Sequence, residues 1–356
     1  LNLLPCLALD SLAQPLNPVA HIHVQSGIEE WALQQSSITV GLPVYNAMPF
    51  LPEAIESLFH QTVSDFNILV IVDGADDGSL QYLETVLGDR LRVLTQPNRG
   101  LTATLNRMLH ETRTGWLIRQ DADDISYPTR IERLQEQISQ YPNAGMFYSL
   151  AEYYPSERST GLYRCSRGSP QELRQIVQSG YLLSICHPSA ALNVEKTLEV
   201  GGYRDLPHAE DADLWWRMAL HYDIRLLPEV LIGFRHTESS VSSRNSFTQE
   251  LHGLYIQYLL LSHLSGREPL SMAEISPMLK AHISANRLKA KQHLRFLNMH
   301  LAAKHYGSAL AALARSALAS PSYFIQRMID ELFPLKSIAN GISPDLFYRR
   351  KEVFWP

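Results

Sequence analysis

The segment Arg119-Gln120-Asp121-Ala122-Asp123-Asp124 places three acids in four positions directly after a short apolar run. At the end of a strand, residues i and i+2 project to one side, so Asp121 and Asp123 are expected to converge. Two converging carboxylates repel each other unless a cation sits between them. Hard oxygen ligands favour Mg²⁺ or Mn²⁺, which keep coordination positions open for substrate phosphates. An Asp-rich turn capping the next helix would use the same letters, so the pair needs its neighbours to give it meaning.

A second acidic group, Glu210-Asp211, opens the run Glu210-Asp211-Ala212-Asp213-Leu214-Trp215-Trp216-Arg217. Residues 212–221 have helical spacing, so the pair lies at a helix N-terminus, where the dipole favours the anionic form. First-turn acids that only stabilise the helix are the plain alternative. Trp215 and Trp216 offer aromatic faces of the kind that stack on sugar rings, although at least one is expected to be core.

These groups need a scaffold, and the pattern from Ile38 onward supplies one. Short apolar runs at 38–42, 66–72, 91–95, 116–119 and 145–149 read as strands, with another at 229–234. Amphipathic segments at 52–59, 80–87, 101–111 and 127–139 read as the helices between them. Strands separated by such helices imply an α/β fold with a mainly parallel sheet flanked by helices. Ligands of such sheets sit beyond the carboxyl ends of the strands, which directs attention to the loops after Leu42, Val72 and Gln120. From Thr248 the strand signal fades into Leu- and Ala-rich helical spacing, with breaks expected at Ser276-Pro277, Ser320-Pro321 and Ser343-Pro344. The expected division is an N-terminal extension over 1–36, an α/β domain over 37–245 and an α-helical C-terminal domain over 246–356.

Several motifs follow one another in a fixed order. They are Pro43-Val44-Tyr45-Asn46, then Val72-Asp73-Gly74-Ala75-Asp76-Asp77-Gly78-Ser79, then Asn98-Arg99-Gly100, Asn106 and Gly115. The stretch from Arg119 to Arg130 comes next, followed by Gly201-Gly202-Tyr203-Arg204 and the Glu210 run. Together they resemble the family 2 glycosyltransferases of the GT-A fold, above all the bacterial branch with an R-x-D-A-D-D-I-S-x-P-x-R stretch. The resemblance spans about residues 37–245.

The resemblance implies the following roles. Pro43, Tyr45 and Asn46 border the base and ribose of a nucleotide sugar. Asp73 reads the base, with Asp76 and Asp77 as alternatives, and Val72 stands where the family often has the first of two acids. A UDP-sugar is the favoured donor. Asn98, Gly100 and Asn106 line the donor pocket, while Asp121, Ala122 and Asp123 meet the sugar diphosphate and its Mn²⁺ or Mg²⁺. Asp211 matches the general base that deprotonates an acceptor hydroxyl, with Glu210, His187 and Trp215 on the acceptor side. His236 is a further metal or diphosphate ligand, or a hydrogen-bonded loop histidine, and the same choice stands for His187.

The implied reaction transfers a hexose or N-acetylhexosamine to a hydroxyl of a glycan or polyprenyl-linked acceptor. Its leaving nucleoside diphosphate carries roughly three negative charges, which a divalent cation offsets as they develop. A single displacement by one base inverts the anomeric centre. A sugar nucleotidyltransferase is the enzymatic rival, but the segment 43–47 has neither the glycines nor the cations of a phosphate loop. A silent nucleotide- or glycan-binding module is the rival from another class.

Composition narrows the classes further. The chain has 356 residues, 45% hydrophobic and 19% charged, which excludes pervasive disorder. Three cysteines without CxxC spacing argue against a disulfide scaffold or cysteine zinc site, and fit a reducing, cytoplasmic setting. Residues 1–36 are apolar but aperiodic, broken by Pro5, Pro15 and Pro18, with no basic region before them, so no secretory signal is expected. The longest apolar run is too short to span a bilayer. Charge is uneven: residues 1–249 carry 18 Lys+Arg against 29 Asp+Glu, and residues 250–356 carry 13 against 7. The basic helices over 277–329 suit either an anionic membrane surface, such as the inner face of the plasma membrane, or packing against the acidic front. No recognised motif for nucleic acid accompanies the charge.

Overall fold

The computed structural model describes residues 38–86, 88–154, 161–206, 208–235, 246–302, 304–332 and 339–355. The N-terminal extension and His236 lie outside the described residues.

The strand β1 (Ile38–Val44) is buried at all positions but Pro43, and β2 (Asn67–Asp73) is buried throughout. Continuous apolar runs of this kind form where both faces of a sheet are covered. The two faces divide the residues of β2 cleanly. Ile68, Val70 and Val72 join one core, while Leu69 and Ile71 join the other. On the first face lie α1 (Leu51–Phe59), with Pro52 in its opening turn, and α4 (Arg130–Gln140). Leu51, Ala54, Ile55 and Leu58 form the buried stripe of α1, the spacing of a helix with one apolar side. On the second face α3 (Leu101–Glu111) lies so close to β1 that a Cβ on Gly41 would meet Met108 Sδ at 2.2 Å.

The remaining elements of this region are α2 (Ser79–Thr85), β3 (Leu91–Gln96), β4 (Trp116–Arg119) and β5 (Ile125–Ser126). After them come β6 (Met146–Tyr154), α5 (Pro170–Gln178), β7 (Leu182–Leu183), β8 (Ala190–Asn193), α6 (Val194–Glu199), α7 (Glu210–His221) and β9 (Ile224–Arg235). The eight-stranded sheet runs β3-β2-β1-β4-β8-β6-β9-β5. Pairs among β3, β2, β1 and β4 are parallel, as is β6 with β9, whereas β8 and β5 pair antiparallel with their neighbours. Strand order reverses between β1 and β4. In open α/β sheets the crevice beyond the carboxyl ends of such a pair is where ligands bind.

The C-terminal helices are joined to this body. In α8 (Ser246–Leu264), Ile256, Leu259 and Leu260 share a core with Trp215 and Met218 of α7, and Leu254, Tyr258 and Leu261 pack with Phe347 and Phe354. Ser271 and Glu274 form a capping box at the start of α9 (Met272–Lys280). The break expected at Ser276-Pro277 does not occur, because Pro277 sits inside α9. Proline removes one helical hydrogen bond there, but Ile275 and Leu279 on either side of it are fully buried and hold the turn by packing. Ser320-Pro321 does separate α11 (Tyr306–Ala319) from α12 (Pro321–Leu332), and α10 (Ala285–Ala302) precedes them. A short strand, β10 (Ala339–Asn340), returns to pair with β7. Gln257 of α8 fixes that return by donating to the carbonyls of Gly180 and Ile342 and accepting from the Ile342 N–H.

Candidate active site

The strand β4 stops at Arg119, so the aspartates that follow are not on it. Their convergence, expected from strand alternation, comes instead from a turn closed by the Asp124 N–H donating to the Asp121 carbonyl at 3.2 Å. Two buried arginines build that turn. Arg119 donates from Nη2 to Asp121 Oδ1 at 2.6 Å and from Nη1 to the Gln120 carbonyl at 2.7 Å. Arg130 donates to Gln120 Oε1, Ser126 Oγ and the carbonyls of Arg119 and Pro188, all within 2.8 Å. Burial lowers the Arg130 pKa to about 9. The end of β9 adds a third arginine. The Arg235 N–H donates to Asp124 Oδ1, its Nε donates to the Asp123 carbonyl, and its guanidinium lies over the rings of Phe50 and Tyr154.

The turn concentrates negative charge out of water. Burial, reinforced by the neighbouring Asp121, pushes Asp123 up to about 6, and Asp124 is raised well above the carboxylate range for the same reasons. Among the described residues, the buried Asp124 Oδ2 has no hydrogen-bond partner.

On the β1–β2 side, the expected donor residues form a braced loop cluster. The buried Asp73 accepts from Gln96 Nε2 at 2.7 Å and from the backbone N–H groups of Arg99 and Gly100 at 2.8 and 2.9 Å. It therefore ties the end of β2 to the loop carrying Asn98, whose side chain also accepts from the Gly100 N–H. Asn46 has a left-handed backbone (φ 48°), a region asparagine tolerates better than most residues, and accepts from the Asp76 N–H through Oδ1, tying the loop after β1 to the loop after β2. Asp77 accepts from the Met48 N–H and from Ser79. Tyr45, 57% exposed, projects from this cluster next to the half-buried Pro43.

The start of α7 holds the second acidic group. Glu210 is its first residue and Asp211 its second, with Asp211 Oδ1 accepting from the Ala212 N–H. The helix dipole does not set the ionisation here. Burial and the adjacent Glu210 outweigh it and push Asp211 up to about 7, while burial also raises Glu210. One turn on, the buried Asp213 accepts from Arg217 at 2.6 Å and pairs with Arg204 at 3.1 Å. Arg217 also donates to the carbonyls of Val200 and Gly202, anchoring α7 to the Gly201-Gly202-Tyr203 loop.

Three expectations change with these contacts. Trp215 is 1% exposed, so neither ring face is open to an acceptor, and Trp216 is buried as well. Packing against the α8 side of the core explains both. Asn106 spends both ends of its amide on the Tyr203 backbone, so it acts as a strut and not as a donor-pocket lining through those atoms. His187 is half-buried and shares a 2.9 Å hydrogen bond with the Tyr203 hydroxyl. Burial and then the nearby Arg119 hold it well below the usual histidine pKa, so it is neutral at pH 7.

The two acidic groups act on each other. Burial disfavours the Arg119 charge, but Asp121, Tyr203 and Glu210 more than offset this. Asp121 and Arg119 act on Glu210 with opposite signs, Arg119 acts on Asp211, and the buried Tyr203 senses all four. Arg119 and Tyr203 thus link the Asp121 turn to the head of α7. They were not singled out from the sequence, although Arg119 opens the acidic stretch and Tyr203 follows the double glycine. Asp124 was read only as part of the acidic stretch and Arg235 was given no role, since nothing in their spacing joins residues 111 apart.

A divalent cation fits Asp121 and Asp123, because their mutual repulsion is what such an ion would offset. Among the described residues no group of three or more His, Cys, Asp or Glu forms a complete metal site.

A mixed but mostly parallel sheet, a reversal between β1 and β4, and acids gathered beyond it define a GT-A-like fold. The family model described as Glycosyl transferase family 2 matches residues 39–201. The chain is 31% identical over 219 residues to an uncharacterized glycosyltransferase of Haemophilus influenzae, covering 60% of this chain and 80% of that one. It is 25% identical to the amylovoran biosynthesis glycosyltransferase AmsE of Erwinia amylovora, covering 55% and 74%. Among solved structures, Staphylococcus aureus TarS 1–349 in complex with UDP-GlcNAc has the same fold, with TM-score 0.55, 15% identity and coverage of 79% and 91%. The chain belongs to family 2 of the glycosyltransferases. This membership removes the sugar nucleotidyltransferase reading.

Proposed function

We propose that the protein is an inverting, metal-dependent glycosyltransferase that moves a hexose or N-acetylhexosamine from a nucleotide sugar to a hydroxyl of a glycan or polyprenyl-linked acceptor. One observation carries the reading: Asp121 and Arg119 share an electrostatic neighbourhood with Glu210 and Asp211. Residues 37–245 would carry this chemistry, with 246–356 as a helical appendage. A UDP-sugar is the favoured donor, in keeping with the TarS complex, and a cytoplasmic setting fits a nucleotide-sugar substrate. The biosynthetic name of AmsE points to surface polysaccharide as the kind of product.

In this reading the loop cluster of Tyr45, Asn46 and Asp73 receives the nucleoside, and Asp121 and Asp123 hold Mn²⁺ or Mg²⁺ against the diphosphate. The cation supplies charge neutralisation of the leaving nucleoside diphosphate. Asp211 takes the proton of the acceptor hydroxyl as its oxygen attacks the anomeric carbon. A base with a pKa of about 7 suits that task, since it is strong enough to accept the proton and about half ionised at neutral pH. Arg119 keeps Asp121 in place and balances the negative charge on both sides. Neutral His187, fixed by Tyr203, can donate or accept one hydrogen bond to an acceptor.

The test is a turnover screen with UDP-, GDP- and dTDP-sugars, with and without Mn²⁺, followed by NMR of the product anomer. Metal-dependent release of one nucleoside diphosphate with an inverted product supports the proposal. Tight nucleotide binding with no turnover on any donor and acceptor would make the protein a binding module.

A further inference from the structure

Helix α11 is built inside out. Its buried side consists of the small residues Ala309, Ala312 and Ser316, and Ser316 Oγ donates to the carbonyl of the fully buried Ala290 in α10. Three of its bulky apolar residues face the other way, Leu313 alone being partly buried: Tyr306 and Leu310 are each 68% exposed and Leu318 is 82% exposed. With Ala314, also exposed, they recur every four residues and form a stripe about 20 Å long on the outer side of a 14-residue helix. In the next helix Ile325 and Ile329 are exposed at the same spacing. Water-facing helices normally reverse this arrangement, so a contiguous apolar stripe marks an interaction surface.

The surrounding charge identifies the partner. Between Glu274 and Asp330 there is no acid, and Lys280, Arg287, Lys289, Lys291, Arg295, Lys304, Arg315 and Arg327 are all basic. Lys280, Arg287, Lys289, Lys304 and Arg315 are exposed. Among the described residues no helix is long and apolar enough to cross a membrane. Cations alone would suit any anionic partner, and Leu or Tyr alone any apolar one. Leucine, isoleucine and tyrosine presented on the layer of α10, α11 and α12, which carries seven Lys and Arg against two acids, Asp330 and Glu331 at its end, match a bilayer interface, where acyl chains receive the apolar face and lipid phosphates receive the cations.

We propose that α11 and α12 dock the protein on an anionic lipid bilayer, with Tyr306, Leu310 and Leu318 entering the headgroup–acyl boundary. This surface is separate from the residues assigned to sugar transfer, so its test needs no turnover. The full-length chain is floated with vesicles of phosphatidylcholine alone and of phosphatidylcholine with phosphatidylglycerol at about 2:1. Binding is expected only to the anionic vesicles and should weaken as salt rises. The exposed double substitution Leu310→Glu/Leu318→Glu should weaken it about tenfold or more while leaving the circular dichroism and melting temperature unchanged. Arg315→Glu should weaken it less. Absence of binding to anionic vesicles, or binding that the double substitution leaves intact, overturns the proposal. So does a dimer of the native chain in light scattering that the double substitution converts to monomer, which would make this face a contact between copies.

Discussion

The side-chain amide of Asn106 pairs with the backbone of Tyr203 as one strand pairs with another. It donates to the Tyr203 carbonyl at 2.7 Å and accepts from the Tyr203 N–H at 2.9 Å, across 97 positions of sequence. Gly202 makes this approach possible, since its backbone is left-handed (φ +61°) and a Cβ there would meet Asn106 Oδ1 at 2.8 Å. Tyr203 in turn bonds His187 and neighbours Asp211 and Arg119. One asparagine on α3 therefore positions a loop at the proposed acceptor side.

Asn106→Ala leaves a buried N–H and carbonyl unpaired, which is expected to cost about 2–3 kcal/mol of stability. If the strut positions the acceptor side, kcat should fall while the donor KM stays near its native value. A change confined to the donor KM would return Asn106 to the donor pocket.

Asp211→Asn removes the proposed base and should lower kcat by about 10²–10⁴-fold without loss of UDP binding, as read by calorimetry. If binding disappears with activity, Asp211 belongs to the donor site instead.

The rate of the native enzyme should rise with pH through about 7, where Asp211 loses its proton, at saturating donor and metal. The same shift has a stability sign. The folded pKa lies above the unfolded one, so folding favours the protonated form, and the cost of ionising Asp211 grows above pH 4 and is complete above pH 7. Asp211→Asn should therefore raise Tm at pH 8 and leave it unchanged at pH 3. A lower Tm at pH 8 would contradict that account.

Asp123→Asn removes one of the two proposed metal ligands and relieves part of the repulsion that raises Asp124. UDP affinity should then no longer respond to Mn²⁺. An undiminished Mn²⁺ response would exclude Asp123 from the metal site.

Arg130 serves four acceptors from the centre of the acidic turn. Arg130→Met should cost about 3 kcal/mol or more, and Arg130→Lys should not restore it, because an ammonium cannot reach four acceptors in one plane. Chemical denaturation of both variants measures this. Equal stability of the lysine variant would show that charge alone matters there.

The sheet and its helices were legible because their signals are local. Apolar runs with helices between them specify a covered, largely parallel sheet, and boundaries fell within a few residues of those seen at β1, β3 and α3. The antiparallel placements of β8 and β5 were not legible, since pairing depends on partners far away in sequence. The continuation of α9 through Pro277 was hidden for a similar reason: packing of Ile275 and Leu279 overrides a local breaker.

The candidate site divides in the same way. Residue type and order alone determined that Asp121, Asp123 and Asp211 are the acids to watch, since a cation site and a base need carboxylates and those motifs carry them. Only the tertiary structure decided the ionisation of Asp123 and Asp211, because burial and neighbouring charge raise both and reverse what a helix N-terminus would do to Asp211. It also decided that Trp215 is core, that Asn106 is a strut, and that Arg119, Arg130 and Arg235 hold the acidic turn. Those assignments depend on which groups lose water together, a property of the packed chain and not of any stretch of it.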